Sequence, residues 1–302
     1  MAFRLTLPRF IEMIRLPRVQ HIEYSTILGE CKTLYVALPE LAPCAAIGYN
    51  APDCSQEATM RLSIIMPIYN EIGTIAEILR RVRAVELTVT AGYGPEHDAV
   101  VTFEREIVMV DDGSTDGTRD FLRQQEKEAD VVVVFHEHNR GKGAAVRTGL
   151  RHASGDVMLV QDADLEYDPR DYPSLLQPIL EKRSQVVYGS RFRGGPTRAM
   201  FFWHMIGNHF LTLVTNVLYD TILSDMETCY KLFTREVAEQ LDLKAPGWGF
   251  DPEITAQILK RGYRIYEVPI SYTGREFEEG KKISWRDGLT VLWTLLKYRF
   301  SR

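Results

Sequence analysis

The densest chemistry in the sequence is the acidic run Gln161-Asp162-Ala163-Asp164-Leu165-Glu166, which follows the apolar stretch Val157-Met158-Leu159-Val160. In an extended segment successive side chains point to opposite faces, so period two puts Asp162, Asp164 and Glu166 on one side. Three carboxylates so close repel one another. A divalent cation that prefers oxygen, Mg2+ or Mn2+, relieves the repulsion and can hold a diphosphate as well. The plainer alternative is a charged loop ahead of Pro169. A lone Asp-x-Asp is common by chance, and its place at the end of an apolar strand is what gives this one weight.

Three further polar segments follow apolar stretches. Val110 leads into Asp111-Asp112-Gly113-Ser114-Thr115-Asp116-Gly117, a tight loop that aims carboxylates into a cleft. A carboxylate there can accept hydrogen bonds from a nucleobase, although Asp and Ser are also ordinary turn and cap residues. Met66-Pro67-Ile68-Tyr69-Asn70-Glu71 closes an earlier apolar run. In Asn139-Arg140-Gly141-Lys142-Gly143, glycines flank a lysine at a helix start, an arrangement suited to close approach of a phosphate. It is not a Walker A loop, since Gly143 stands where Ser or Thr would be required. His136 and His138 alternate around Glu137 but lack a third ligand, which favours a polar strand end over a metal pair.

Elements that position these residues can be read from hydrophobic periodicity. Strands are predicted at 62–66, 106–110, 131–135 and 157–161, and helices at 74–85, 118–128 and 143–153. Residues 86–105 are long for a connection and read as an exposed excursion or a small extra hairpin. Short strands alternating with helices specify an α/β fold with a mostly parallel sheet covered by helices on both faces. Ligands bind such sheets beyond the carboxyl ends of the strands, where the polar segments fall.

The ordered set PxYNE, VDDGSxDGT, NRGKGxAxRxG, DADLE and GSR resembles family-2 glycosyltransferases of the GT-A (Rossmann-like) fold, and within them the polyprenyl-phosphate sugar synthases. The resemblance runs from about residue 61 to the C-terminus. It implies a metal-dependent, inverting transfer of a hexose from a GDP- or UDP-sugar to a polyprenyl phosphate. On this resemblance Pro67, Tyr69, Glu71 and Asp112 contact the base and ribose. Asp162 and Asp164, with Glu166, bind Mg2+ or Mn2+ and the donor diphosphate, with Ala163 between them and Lys142 at the same donor site. Arg191, in Gly189-Ser190-Arg191, reaches a phosphate. Asp225, in Ser224-Asp225-Met226-Glu227-Thr228-Cys229, positions the acceptor or acts as base. Arg275, backed by Lys281 and Lys282, belongs to a loop that closes on the phosphates. A phosphate acceptor is already a nucleophile, so a strong general base is not obligatory. The alternatives are a soluble glycan or small-molecule acceptor, and a non-catalytic nucleotide-sugar-binding protein.

The chain has 302 residues, 45% hydrophobic, enough to bury a substantial core. Its net charge of -5 gives no electrostatic case for a nucleic-acid partner. Cys31, Cys44, Cys54 and Cys229 show no CxxC spacing, so they form neither a disulfide framework nor a zinc site, and a reducing, cytoplasmic setting follows. Residues 1–59 lack periodicity and read as an N-terminal extension or arm; 60–302 form the catalytic domain. Residues 199–219 carry no Asp, Glu, Lys or Arg, but His204, Asn208, His209 and Asn216 make a membrane span costly. Segments 199–223 and 284–300 instead join aromatic and apolar residues to nearby basic ones, which suits helices lying in a membrane surface on its cytoplasmic side. Core or dimer-forming helices are the alternative, so a homo-oligomer is compatible with the same pattern.

Overall fold

The structure is a computed structural model that describes residues 21–25, 31–35, 58–91, 99–199, 201–275 and 285–301. The chain divides into two compact units, Met1–Ser55 and Gln56–Arg302. In the first, strands β1 (His21–Ser25) and β2 (Cys31–Tyr35) pair antiparallel, with His21 opposite Tyr35.

The second unit is built on an eight-stranded sheet. Its strands are β3 (Ala58–Ile68), β4 (Thr88–Ala91), β5 (Ala99–Asp111), β6 (Val131–Phe135), β7 (Val157–Val160), β8 (Val186–Ser190), β9 (Lys231–Thr234) and β10 (Ile265–Pro269). The order is β10-β8-β9-β7-β3-β5, with β4 and β6 both pairing with β5. β10 runs parallel to β8, and β7, β3, β5 and β6 run parallel to one another. β9 is antiparallel to both β7 and β8.

Toward their carboxyl ends the central strands have no solvated face. Leu62, Ile64, Ile65, Met66, Ile107, Val108, Met109 and Val110 are all fully buried, as continuous apolar strands of a parallel sheet must be. Helices α1 (Ile75–Ala84), α2 (Thr118–Gln125), α3 (Lys142–His152) and α4 (Tyr172–Leu180) connect the first strands. Helix α1 buries Ile75, Ile78, Leu79 and Val82 at helical spacing. Gly149 lets α3 sit close on β3, since an added Cβ would lie 2.5 Å from Ile65 Cγ2.

Two predicted strands are longer than periodicity indicates. β3 and β5 pair without interruption from Ala58–Val101 to Ile68–Asp111. The pairing therefore takes in Thr59 and Thr102, whose polarity hid them from an apolar count. It also starts the second unit ahead of Met60. The extra hairpin read in 86–105 is formed by β4 and β5, with Ala91 opposite Ala99.

The rest of the unit comprises α5 (Phe202–Tyr219), α6 (Arg235–Gln240), α7 (Phe250–Lys260) and α8 (Trp285–Phe300). Helices α5 and α8 form a second small core, in which Val291 and Leu295 meet Met226, Leu211, Val214 and Leu218.

Candidate active site

The topology gathers the polar segments at one edge. Ile68, Asp111 and Phe135 end three parallel strands in register, and Val160 ends the next. Pro269 lies opposite Ser190 where β10 and β8 end. Because β9 runs the other way, its first residue, Lys231, and the turn before it reach the same edge, opposite Tyr188.

The acidic run is not extended. Leu165 has φ 62°, in the left-handed region, and this turn breaks the period-two alignment of Asp162, Asp164 and Glu166. Each carboxylate has partners of its own. Lys142 Nζ donates to Asp162 Oδ2 at 2.9 Å. Asp164 Oδ1 accepts from Glu166 N at 3.2 Å, and its Oδ2 lies 3.8 Å from Arg275 Nη2. Glu166 accepts from Arg275 N at 2.9 Å and from the Tyr272 hydroxyl at 3.0 Å. Among the described residues no group of three or more His, Cys, Asp or Glu side chains is gathered closely enough to hold a metal as it stands. Glu166 pins the 272–275 segment to the acidic loop instead. Asp162 and Asp164 do fit a divalent cation: both present carboxylate oxygens, hard donors suited to Mg2+ or Mn2+, and both already attract a cationic side chain here.

Around Lys142 the glycines allow a close packing within the protein. A Cβ on Gly141 would come within 2.5 Å of Pro246 O, and one on Gly143 within 2.3 Å of Ala245 O. The Cβ positions of both glycines face the chain's own 245–247 backbone. Burial works against the charge on Lys142, but the Asp162 carboxylate outweighs it, and the Lys142 pKa stands well above the ordinary lysine value.

Asp112, expected at the nucleoside, has protein partners in this structure. It is 2% exposed. Its Oδ1 meets His136 Nδ1 at 2.7 Å and accepts from Arg140 N at 2.9 Å, while Oδ2 accepts from Gly141 N at 2.7 Å. Asp112 thus folds the 139–141 loop and leaves almost no lone pair for a base. His136, whose Nε2 lies 2.9 Å from Thr148 Oγ1, is the polar strand end anticipated.

Glu71 is tied to Arg275, with Nη2 to Oε2 at 2.9 Å and Nη1 to Oε1 at 3.3 Å. Arg275 Nε also donates to Asp164 O at 3.0 Å. One guanidinium therefore joins Glu71, the acidic loop and the end of the sheet. Pro67 and Tyr69 are half-buried. Ala163 is 3% exposed and packs into the core. Lys281 and Lys282 lie outside the described residues.

Arg191 and Asp225, expected as separate functional groups, form one buried ion pair. Nε and Nη2 of Arg191 donate to Oδ2 and Oδ1 of Asp225, each at 2.7 Å, and Arg191 N donates to Oδ2 at 3.0 Å. The Asp225 side chain is 0% exposed and that of Arg191 8%. Both carboxylate oxygens of Asp225 are thus engaged by Arg191. Tyr272 links this pair to the acidic loop: its hydroxyl bonds Glu166, and its ring lies under the Arg191 guanidinium, 5.2 Å from centroid to Cζ.

Sequence reading missed Tyr272 and Lys231, whose Nζ lies 2.5 Å from Asp251 Oδ1 in a second buried pair. A lysine inside the apolar run Lys231-Leu232-Phe233 was the available signal. It also missed Glu227, whose Oε1 is buried without a hydrogen-bond partner.

Beside this edge, α5 leaves Trp203, Ile206, Phe210, Leu213 and Val217 exposed at three- and four-residue spacing, and α8 exposes Leu289, Trp293 and Phe300. Among the described residues no helix is long and apolar enough to cross a membrane.

The family model described as "Glycosyl transferase family 2" matches residues 63–242. The chain belongs to that family and is a glycosyltransferase with the α/β GT-A fold. It is 31% identical over 236 residues to the undecaprenyl-phosphate mannosyltransferase of Micrococcus luteus, covering 74% of this chain and 87% of that one. Glycosyltransferase AglJ of Haloferax volcanii is 30% identical, and the low-salt glycan biosynthesis hexosyltransferase Agl6 of the same organism 29%. The matches cover 70% and 80% of this chain but only 63% and 55% of those proteins. Among solved structures, glucosyl-3-phosphoglycerate synthase from Mycobacterium tuberculosis in complex with UDP superposes with a TM-score of 0.58 at 21% identity, covering 80% of both chains. That is a likeness of fold.

Proposed function

We propose that this glycosyltransferase moves a hexose, mannose or glucose, from a GDP- or UDP-sugar to a polyprenyl phosphate, with inversion and with Mg2+ or Mn2+. The observation that carries the reading is the alignment with an undecaprenyl-phosphate mannosyltransferase over most of both chains. The site supports it. Pro67, Tyr69 and Glu71 border the nucleoside, and Asp162 and Asp164 hold the metal. A bound divalent cation supplies positive charge to the leaving diphosphate. Lys142 and Arg275, released from Asp162 and Glu71, add positive charge from the protein. An oxygen of the acceptor phosphate forms the new bond to the anomeric carbon. The bond from that carbon to the diphosphate breaks, and its electron pair leaves with the nucleoside diphosphate. The phosphate arrives ionised, so no residue has to remove a proton. Arg191 and Asp225 keep the wall of the site rigid.

A lipid acceptor requires the site to meet a membrane. The exposed apolar stripes of α5 and α8 suit in-plane contact on the cytoplasmic face. The unit Gln56–Arg302 is then the catalytic part and residues 1–55 an accessory arm. The test is transfer by purified protein from a panel of GDP- and UDP-sugars with Mn2+, with and without a short polyprenyl phosphate, and with an EDTA control. Metal-dependent sugar transfer to the lipid is the expected result. Donor hydrolysis without lipid transfer, or transfer to a soluble acceptor only, refutes the acceptor assignment.

A further inference from the structure

The turn from Asp225 to Cys229 is held from every side. Asp225 is bound to Arg191, and Met226 N donates to Thr212 Oγ1 on α5 at 3.2 Å. Lys231 Nζ donates to Met226 O at 3.1 Å and also to Thr228 O. Cys229 N donates to the Tyr167 hydroxyl at 3.0 Å. Within this clamped turn two buried side-chain atoms on successive residues, Glu227 Oε1 and Thr228 Oγ1, have no hydrogen-bond partner. Buried polar atoms are ordinarily satisfied, and two exceptions on successive residues of a fixed backbone call for an explanation, which a ligand able to supply the missing bonds would give.

The charges around Glu227 indicate which ligand. Its charged neighbours form two internally matched pairs, Arg191 with Asp225 and Lys231 with Asp251. Glu227 is a fifth group without a counter-ion of its own. Burial, and then Asp251, raise its pKa to about 8, with Asp225 acting in the same direction and Lys231 and Arg191 opposing. A carboxyl raised in this way favours its protonated form near neutral pH, and then donates a hydrogen bond, which an ionised carboxylate cannot. A neutral acid beside a phosphate binds it, whereas a carboxylate repels it.

We propose that Glu227, as a neutral carboxylic acid, and Thr228, through its hydroxyl, bind the non-attacking oxygens of the acceptor phosphate. The proposal rests on the lipid-phosphate reading above. It makes Glu227 an acceptor-binding donor, a role distinct from a general base and opposite to it in protonation.

The experiment compares wild type, Glu227→Gln and Glu227→Ala with farnesyl phosphate as acceptor, measuring kcat/KM from pH 6 to 9.5. Wild-type kcat/KM for farnesyl phosphate is expected to fall above about pH 8. Glu227→Gln keeps an N–H donor that does not titrate. It should retain neutral-pH activity to within about threefold and lose the alkaline fall. Glu227→Ala should lose about 10- to 100-fold through KM for the acceptor, the range for a hydrogen bond to a charged group, with KM for the donor unchanged. A carbon-13 titration of the Glu227 carboxyl should give a midpoint near 8, moving upward with farnesyl phosphate. Loss of about 100-fold in kcat for Glu227→Gln would show a base instead and overturn the proposal. So would identical profiles for all three proteins, or a midpoint in the ordinary carboxylate range. A wild type that transfers to no lipid phosphate sinks the acceptor reading itself. Normal wild-type transfer with an unaffected Glu227→Ala sinks only the role of Glu227.

Discussion

Replacing Asp225 separates an anchor from a catalyst. Asp225→Ala leaves the Arg191 guanidinium, 8% exposed, without its carboxylate. Three donors lose their acceptor: Nε and Nη2 at 2.7 Å and the backbone N at 3.0 Å. Removing one member of a buried ion pair costs about 3–5 kcal/mol, because the remaining charge stays desolvated. For domains of about 150–250 residues each kcal/mol moves Tm by about 2–4 °C, so Tm should drop by about 6–20 °C. Against a total stability of about 5–15 kcal/mol, the variant should still fold in the cold. Replacing both partners, Arg191→Met with Asp225→Leu, removes both buried charges and should recover much of the loss. The assay is urea denaturation of the single and double variants, with donor turnover measured well below each Tm. Turnover within about tenfold of wild type is expected for Asp225→Asn under those conditions, since only rigidity is affected. An Asp225→Asn protein of unchanged stability whose kcat falls by 100-fold or more would refute the anchor argument and restore Asp225 as a base.

Other outcomes follow from the same geometry. Asp164→Ala should abolish Mn2+-dependent binding of nucleoside diphosphate in calorimetry while thermal unfolding stays near wild type; metal-dependent binding that survives would remove Asp164 from the metal site. Gly143→Ala forces a Cβ to 2.3 Å from Ala245 O, and such overpacking should cost about 1–3 kcal/mol in urea denaturation. Trp203→Glu combined with Phe210→Glu should eliminate sedimentation with anionic vesicles and leave nucleotide affinity unchanged; a variant that still sediments places the membrane contact elsewhere. For the Glu227 carboxyl, folding raises the pKa, so its stabilising contribution is fully present below the ordinary carboxylate range and is lost as pH rises through about 8. Wild type should therefore lose stability relative to Glu227→Gln between pH 6 and 9, measured as the difference in urea midpoints; parallel curves would contradict the raised pKa.

The sequence by itself determined the order of the strands and helices from 62 to 161 and the edge at which chemistry gathers. Apolar runs such as 62–66 and 131–135, and the helical spacing of Ile75, Ile78, Leu79 and Val82, are local signals, and the polar segments after them had to lie beyond the strand ends. It also identified the residues worth asking about. It did not determine what each one touches. Arg275 binds Glu71 across 204 positions of the chain, and Arg191 meets Asp225 across 34. No periodicity reaches that far. The acidic run illustrates the same limit within five residues: period two holds only for an extended backbone, and the left-handed turn at Leu165 ends it. The thin signals of β9, a lysine in an apolar strand and a carboxyl two residues after an aspartate, became legible only when the antiparallel strand brought them to the site edge. A side chain's type is fixed by the sequence, but its charge state and its partners depend on the desolvation and neighbours that only the packed tertiary structure supplies.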